Sequence, residues 1–124
     1  MKVAVIGVGT MGRHHARVYS ELPEADLVSI SDSDSIRAHS TAEKFGIRAY
    51  TDHREMLEKE KPDAVSVVVP TALHEKVGMD ALDAGVNVLI EKPIAATVEE
   101  GTRLIEKARA MNKQLMVGHV VRFD

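Results

Sequence analysis

Met1-Lys-Val-Ala-Val-Ile-Gly-Val-Gly-Thr-Met-Gly12 opens the chain and decides its fold. The apolar stretch at its start predicts a β-strand, which runs directly into the glycine pattern Gly7-x-Gly9-x-x-Gly12. An acidic residue, Asp32, follows twenty positions after the last glycine, at the end of a second predicted strand. A strand, a glycine-rich turn, a helix and then an acid are, in this order, typical of a βαβ unit that binds a dinucleotide.

Each part of the glycine pattern has a physical role. Gly7 is expected to allow the tight turn off the strand, and Gly12 to let the helix pack against that strand. Gly9, which lacks a Cβ, is expected to let a pyrophosphate approach the backbone. The phosphates would then bind the N–H groups at the start of the helix, at Thr10 and Met11, where the helix dipole favours negative charge.

Asp32 and Ser33 indicate which dinucleotide is bound. Asp32 is placed to accept hydrogen bonds from the hydroxyls of a ribose. Since a carboxylate at this position repels a 2′-phosphate, the Asp32-Ser33 pair predicts NAD as the cofactor. Arg37 would serve a 2′-phosphate if the loop bends toward it, which leaves NADP as the alternative.

Strands and helices alternate along the rest of the chain. The almost unbroken β-branched run from Asp63 to Val69 predicts a central strand buried on both faces, and Thr71 is expected to cap the helix that follows. Thr97-x-x-Glu100 is a capping box for the last helix. One apolar stripe of that helix is predicted to face the core: Val98, Leu104, Ile105, Ala108 and Met111.

These elements predict an α/β fold: a doubly wound, mostly parallel six-stranded Rossmann sheet with helices on both faces and strand order 3-2-1-4-5-6. Ligands of such sheets bind outside the carboxyl ends of the strands, between strands one and four. Lys92 and His119 would lie on the nicotinamide side, although His119 is equally well explained as a strand-end histidine. Besides the glycine loop and Asp32, three segments are expected to reach this point: Val69-Pro70-Thr71, Glu91-Lys92-Pro93 and Gly118-His119.

Composition narrows the class of protein. The 124 residues are 44% apolar and 28% charged, which is typical of one soluble globular domain. A net charge of −3 predicts no nucleic-acid partner, and the lack of a long apolar run predicts no membrane span. The absence of cysteine is consistent with a cytoplasmic protein. The adjacent pair His14-His15 predicts no metal site, because neighbouring helix positions point about 100° apart.

The later segments resemble one family. Val69-Pro70-Thr71-Ala72-Leu73-His74, the stretch around Glu91-Lys92-Pro93 and Val117-Gly-His-Val-Val-Arg-Phe123 follow the glycine motif. In this order they resemble the nucleotide-binding half of the Gfo/Idh/MocA oxidoreductases (glucose-fructose oxidoreductase, inositol dehydrogenase and relatives). Within that family the chain is most similar to sugar and nucleotide-sugar dehydrogenases of the UDP-N-acetylglucosamine 3-dehydrogenase kind.

The resemblance implies roles for several residues. Lys92 would be catalytic, because its cation can approach the nicotinamide and hold an alkoxide-like oxygen as hydride leaves the substrate carbon. Pro93 would shape the wall beside the nicotinamide, and Pro70 and Thr71 would line the cofactor groove. His74, in the first turn of its helix, would either frame the same cleft or serve the helix itself.

The resemblance also implies what the chain lacks. Members of the family continue into a second α+β domain, which carries an Asp-x-x-x-His element with the proton-accepting histidine and most of the substrate pocket. We therefore expect residues 1–124 to form an isolated NAD(P)-binding domain that is inactive alone. The full-length protein would be a homo-oligomer acting on a sugar or nucleotide-sugar. The alternative is a stand-alone NAD(H)-binding sensor or regulatory module, while Glu91-Lys92-Pro93 argues against a methyltransferase on the same fold.

Overall fold

Six parallel strands form one sheet in the computed structural model, which describes residues 1–118. The sheet order is β3-β2-β1-β4-β5-β6, and every pairing is parallel. The predicted doubly wound sheet and its strand order are therefore confirmed. The strands are β1 (Lys2–Ile6), β2 (Asp26–Ser31), β3 (Arg48–Tyr50), β4 (Ala64–Val67), β5 (Asn87–Ile90) and β6 (Leu115–Val117).

Local sequence sets the ends of the helices between these strands. The side chains of Asp34, Asp52 and Thr97 each accept a backbone N–H in the first turn of a helix. Gly46, in the left-handed region at φ 66°, ends the second helix. The helices are α1 (Thr10–Glu21), α2 (Ser35–Phe45), α3 (His53–Glu60), α4 (His74–Asp83) and α5 (Val98–Met111), with a 3-10 turn over Thr71–Leu73 before α4.

The sheet separates two apolar cores. On one face α1 and α2 cover the β1–β2–β3 half, where Ala16, Ile30 and Ala42 are buried together. On the other face α3, α4 and α5 pack on β1, β4 and β5 around residues such as Leu82 and Leu104. Because successive residues of a strand point to opposite faces, β1 supplies both cores, and this fixes the sheet between the two layers of helices.

Three details of the sequence prediction are wrong. Strand β4 ends at Val67 rather than Val69, because its partner β1 ends at Ile6, which pairs with Val67. Thr71 does not cap α4: the chain first makes a 3-10 turn, in which the N–H of Leu73 donates to the carbonyl of Pro70, and α4 begins at His74. Thr71 is thus inside the turn instead of at the helix end.

The third error concerns the apolar stripe of α5. Val98 is 81% exposed and Ile105 is 47% exposed, whereas Gly101, Leu104 and Ala108 are buried. Residues three and four apart share a helix face, so the buried stripe passes through 101, 104 and 108 and leaves Ile105 about 100° away. The sequence prediction chose the apolar residues and overlooked Gly101.

Candidate functional site

The glycine loop shows which glycines the fold itself requires. Gly7 has φ 93°, and a Cβ there would lie 2.2 Å from the carbonyl oxygen of Val68. A Cβ on Gly12 would lie 1.8 Å from the carbonyl oxygen of Gly7. By contrast, no heavy atom of residues 1–118 beyond its immediate neighbours lies within 4 Å of a Cβ placed on Gly9. Gly9 therefore leaves open space outside the loop, where a ligand can approach the backbone.

The start of α1 offers hydrogen-bond donors beside that space. Gly9 is the N-cap of α1, and no side chain in the described part of the chain caps the helix there. The N–H of Arg13 makes a 2.9 Å hydrogen bond back to the carbonyl of Gly9. The N–H groups of Thr10, Met11 and Gly12 precede this bond and are the orphan donors of a helix start, a site that favours an anion.

Asp32, at the end of β2, is joined to the glycine loop. One oxygen of its carboxylate accepts the N–H of Val8 at 2.9 Å, and the other accepts the N–H of Asp34 at 2.8 Å. A guanidinium nitrogen of Arg37 lies 3.6 Å from the same carboxylate. Since each carboxylate oxygen has two lone pairs, Asp32 keeps acceptor capacity for the hydroxyls of a ribose.

A cavity of about 450 Å³ lies between these segments. It brings together six of the residues predicted from the sequence: Gly7, Gly9, Asp32, Ser33, Val69 and Pro70. Its volume falls in the range of cofactor sites. Sequence reasoning missed seven further residues that line it: Ile6, Ser31, Thr51, His53, Val68, Leu73 and Val77. The position of Thr51 directly after β3 was the available signal, because β3 ends beside β2 at the same edge of the sheet.

His53 is held at the wall of this cavity by an acid on α4. Its Nε2 lies 2.8 Å from a carboxylate oxygen of Asp80, which also pairs with Lys76. Burial alone would raise the pKa of Asp80, but the hydrogen bonds from His53 and Lys76 outweigh it and leave that pKa lowered. Asp80 thus stays a carboxylate and fixes the orientation of the His53 ring.

A second, larger groove of about 650 Å³ lies at the opposite end of the sheet. Its lining includes Asp63, Asn87 and Lys113, next to the amino ends of β4 and β5. Ligands of open parallel sheets bind at the carboxyl ends of the strands, and none of the fingerprint glycines reaches this groove. The smaller cavity is therefore the candidate cofactor site.

Glu91, Lys92 and Pro93 follow β5 at the carboxyl edge of the sheet. The Glu91 side chain is only 15% exposed, whereas Lys92 and Pro93 are exposed. The peptide bond between Lys92 and Pro93 is cis. Lys92 thus offers its cation at the surface beside the predicted nicotinamide side, next to a partly buried acid.

His74 lies beneath two of the predicted segments. It is 2% exposed, with Nδ1 2.9 Å from the carbonyl oxygen of Pro93 and Nε2 3.0 Å from that of Val69. These contacts favour the alternative in which the ring serves the fold, and a direct contact with the cofactor stays a prediction. Thr71 is half-buried in its turn, and His119 lies outside the described residues.

A buried chain of hydrogen bonds, which sequence reasoning missed, joins α1 to Glu91. Nδ1 of His15 lies 3.0 Å from the hydroxyl of Ser66 on β4, and Nε2 lies 3.1 Å from the Glu91 carboxylate. The hydroxyl of Tyr19 lies 2.6 Å from that of Ser66. The position of His15 three residues after Gly12 gave no sign that its ring would be 1% exposed and turned toward β5.

Two findings concern metals and membranes. Within residues 1–118, no group of three or more His, Asp or Glu side chains is arranged to hold a metal ion. Among the helices of that same stretch, none combines the length and the apolar character that crossing a membrane demands.

His15 predicts a pH dependence of stability. Burial lowers the pKa of His15 from its ordinary 6.5, and the hydrogen bond to Glu91 offsets only part of this effect. Below pH 6.5 the His15 ring therefore binds a proton more readily in the unfolded chain than in the folded chain. The free energy of unfolding accordingly keeps its full value above that pH and decreases below it. The contribution cannot exceed about 1.4 kcal/mol per pH unit.

Urea unfolding of wild type and His15→Gln, at roughly pH 7.5 and pH 5.5, measures this contribution. The wild type should lose more unfolding free energy than the variant between the two conditions, because glutamine does not titrate. Equal losses in the two proteins would contradict the prediction.

The fold and the site together define a class of protein. A doubly wound parallel sheet with an uncapped, glycine-rich helix start after β1 and an acid at the end of β2 is a Rossmann dinucleotide-binding domain. A family described as "Oxidoreductase family, NAD-binding Rossmann fold" (GFO_IDH_MocA) matches residues 1–119. The chain belongs to this family, as its motifs had indicated, and the family's Rossmann fold is described as NAD-binding.

Comparisons with individual proteins agree. The chain is 38% identical to UDP-N-acetylglucosamine 3-dehydrogenase of Acidithiobacillus ferrooxidans, over 98% of this chain and 38% of the relative. It is 34% identical to an inositol 2-dehydrogenase of Corynebacterium glutamicum, over 100% of this chain and 38% of the relative. The crystal structure of GenD2 from gentamicin A biosynthesis, in complex with NAD, superposes with a TM-score of 0.91 at 34% identity, covering 95% of this chain and 34% of that one.

The chain thus spans less than two fifths of the length of these relatives. Both of the curated relatives named above are dehydrogenases, so the alternative of a regulatory module is not favoured.

Proposed function

We propose that residues 1–124 form the NAD-binding domain of a dehydrogenase that moves hydride between a secondary alcohol of a sugar or polyol and the nicotinamide ring. The observation that carries the proposal is the open space at Gly9 beside the uncapped start of α1, with Asp32 tied to the same loop. The relatives act, by their names, on an inositol and on a nucleotide-sugar. A nucleotide-sugar is the proposed substrate, because the most identical of these relatives is named for one.

Within this domain, the cavity and the start of α1 would bind different parts of the cofactor. The loop and helix start from Gly7 to Gly12 would bind the pyrophosphate, and Asp32 with Ser33 would bind the adenosine ribose. Val69, Pro70 and Thr71 would line the groove toward the nicotinamide. Glu91, Lys92 and Pro93 would complete the site on that side, with His119 as a further predicted contact and the His74 ring bonded to the backbone behind them.

Lys92 is the proposed catalytic residue. Its ammonium would hold the substrate oxygen as hydride moves between the carbon of the alcohol and the nicotinamide, the step that the bound cofactor makes possible. The exposed position of Lys92, two residues after the end of β5, supports this role. The proton acceptor and the substrate pocket would belong to a second domain, as would the contacts of a homo-oligomer. We place the protein in the cytoplasm. We also propose that it has no nucleic-acid partner, which its net charge of −3 supports.

Two measurements test the proposal. Calorimetric titration of the 124-residue chain should give saturable binding of NADH. The protein encoded by the whole gene should reduce NAD⁺ in the presence of a sugar, polyol or nucleotide-sugar. Absence of NADH and NADPH binding at millimolar concentration would refute the domain assignment, and binding without turnover on any such alcohol would refute the dehydrogenase.

Asp32 also predicts the preference between the two cofactors. The Asp32→Ser variant should lose about tenfold in affinity for NADH, because the ribose loses its charged acceptor, and should gain affinity for NADPH, because Arg37 can then pair with the 2′-phosphate. The same titrations measure both affinities, with Glu58→Gln, an exposed acid beside the opposite groove, as the control. An unchanged ratio of the two affinities would contradict the prediction.

A further inference from the structure

The Glu91-Lys92-Pro93 turn is held from the α1 side by His15. The His15 ring is buried between Ser66 and Glu91. A carboxylate only accepts hydrogen bonds, so the Nε2 of His15 carries the proton and donates to Glu91. The lowered pKa of His15 keeps the ring neutral, so Nδ1 accepts from the hydroxyl of Ser66.

This arrangement gives the chain of bonds one direction. The hydroxyl of Tyr19 donates to Ser66, Ser66 donates to His15, and His15 donates to Glu91. Each of the four side chains has a hydrogen-bond partner, and this series of bonds ends on Glu91, the residue next to Lys92. It also begins on α1, the helix whose first turn is proposed to hold the pyrophosphate.

The other side of the same turn is held by His74. Its Nδ1 faces the carbonyl oxygens of Pro93 at 2.9 Å and Ile94 at 3.1 Å, and its Nε2 faces that of Val69 at 3.0 Å. Carbonyl oxygens only accept, so a nitrogen of the ring bonds to them only where it carries a proton, and donation on both sides requires the doubly protonated imidazolium. His74 therefore joins the turn to the segment that follows β4.

We propose that His15 and His74 are positioning residues that brace the Glu91-Lys92-Pro93 turn from its two sides and so place Lys92 against the nicotinamide end of the bound dinucleotide. Neither ring needs to touch the cofactor. Lys92 stays exposed and carries the contact, while the residues on both sides of it are fixed by partly buried hydrogen bonds. The proposal rests on the proposed function, because it presumes that the dinucleotide lies along this edge of the sheet.

The test compares binding of NADH with binding of ADP-ribose, which lacks the nicotinamide. The ratio of the two affinities isolates the nicotinamide end, because a loss of fold or of adenosine binding weakens both ligands equally. Calorimetry on the 124-residue chain measures the ratio, with Lys92→Ala as the reference for a lost contact. His39→Gln, at an exposed histidine of α2, is the matched control.

The side-chain amide nitrogen of asparagine can take the place of Nδ1 of histidine, and that of glutamine can take the place of Nε2. At residue 15, glutamine keeps the donor to Glu91 and asparagine does not. At residue 74, asparagine keeps the donor to Pro93 and glutamine does not. Hence His15→Gln and His74→Asn should keep the wild-type ratio, whereas His15→Asn and His74→Gln should lower it by about tenfold, the loss also expected for Lys92→Ala.

This crossed pattern separates positioning from bulk structural support, which would follow the size of the substituted side chain at both sites. Thermal unfolding of all four variants identifies any loss of folded protein, and affinities are computed for the folded fraction. The proposal is overturned if wild type binds NADH no more tightly than ADP-ribose, or if both variants at a site change the ratio alike. If wild type binds neither ligand, the proposed function fails first and this proposal with it.

Discussion

The Gly9→Ala variant is expected to fold normally and to bind NADH about 100-fold more weakly than wild type, a loss of about 2.7 kcal/mol. The added methyl group meets no heavy atom of the described chain within 4 Å, apart from its immediate neighbours. The backbone at Gly9, with φ −66° and ψ −163°, is also accessible to alanine. The methyl group instead occupies the space through which a pyrophosphate must approach the start of α1.

Calorimetric titration together with thermal unfolding checks this prediction. The unfolding free energy should stay within about 1 kcal/mol of the wild-type value. Replacing glycine stabilises the protein by reducing the conformational entropy of the unfolded chain, and the weaker N-cap nearly cancels this gain. An unchanged NADH affinity in a folded Gly9→Ala protein would show that the phosphates do not bind at this loop.

The Gly12→Ala variant is expected to have the opposite effect, a large loss of stability. Its Cβ would lie 1.8 Å from the carbonyl oxygen of Gly7, a backbone atom of the turn that cannot rotate away as a side chain would. Forcing α1 away from β1 should cost about 3 kcal/mol or more, out of a total of roughly 5–15 kcal/mol for a domain. Such a loss lowers the melting temperature by on the order of 10 °C.

Differential scanning calorimetry of Gly12→Ala beside Gly9→Ala makes the comparison within one loop and with one substitution. The two glycines differ in what surrounds them, so the structure predicts stability loss at Gly12 and affinity loss at Gly9. A Gly12→Ala protein as stable as wild type would mean that the helix does not approach Gly7 as closely as described.

The sequence was sufficient to predict the sheet and half of the cavity. Alternating strands and helices, with the glycine pattern after the first strand, left one plausible topology, and the residues that end β1 and β2 then had to meet. Gly7, Gly9 and Asp32 were found in this way, because each is required by local backbone geometry or by its place at the end of a strand.

The remaining features depend on contacts that no local pattern encodes. His15 and Glu91 are 76 positions apart and meet only because β1, β4 and β5 are neighbours in the sheet. His53 enters the cavity wall for a similar reason, through the short strand β3. Val98 and Ile105 were predicted to face the core and are instead exposed, because apolar character alone did not reveal which face of α5 the sheet would cover.

The central claim is that a dinucleotide binds at the carboxyl edge of the sheet with its pyrophosphate on the start of α1. Amide-resolved NMR of the 124-residue chain, titrated with NADH, tests it most directly. The largest shifts should fall on the N–H groups of Gly9, Thr10 and Met11 and on that of Ser33, and they should saturate together. Shifts concentrated around Asp63, Asn87 and Lys113 in the opposite groove, or no saturable shifts at all, would contradict it.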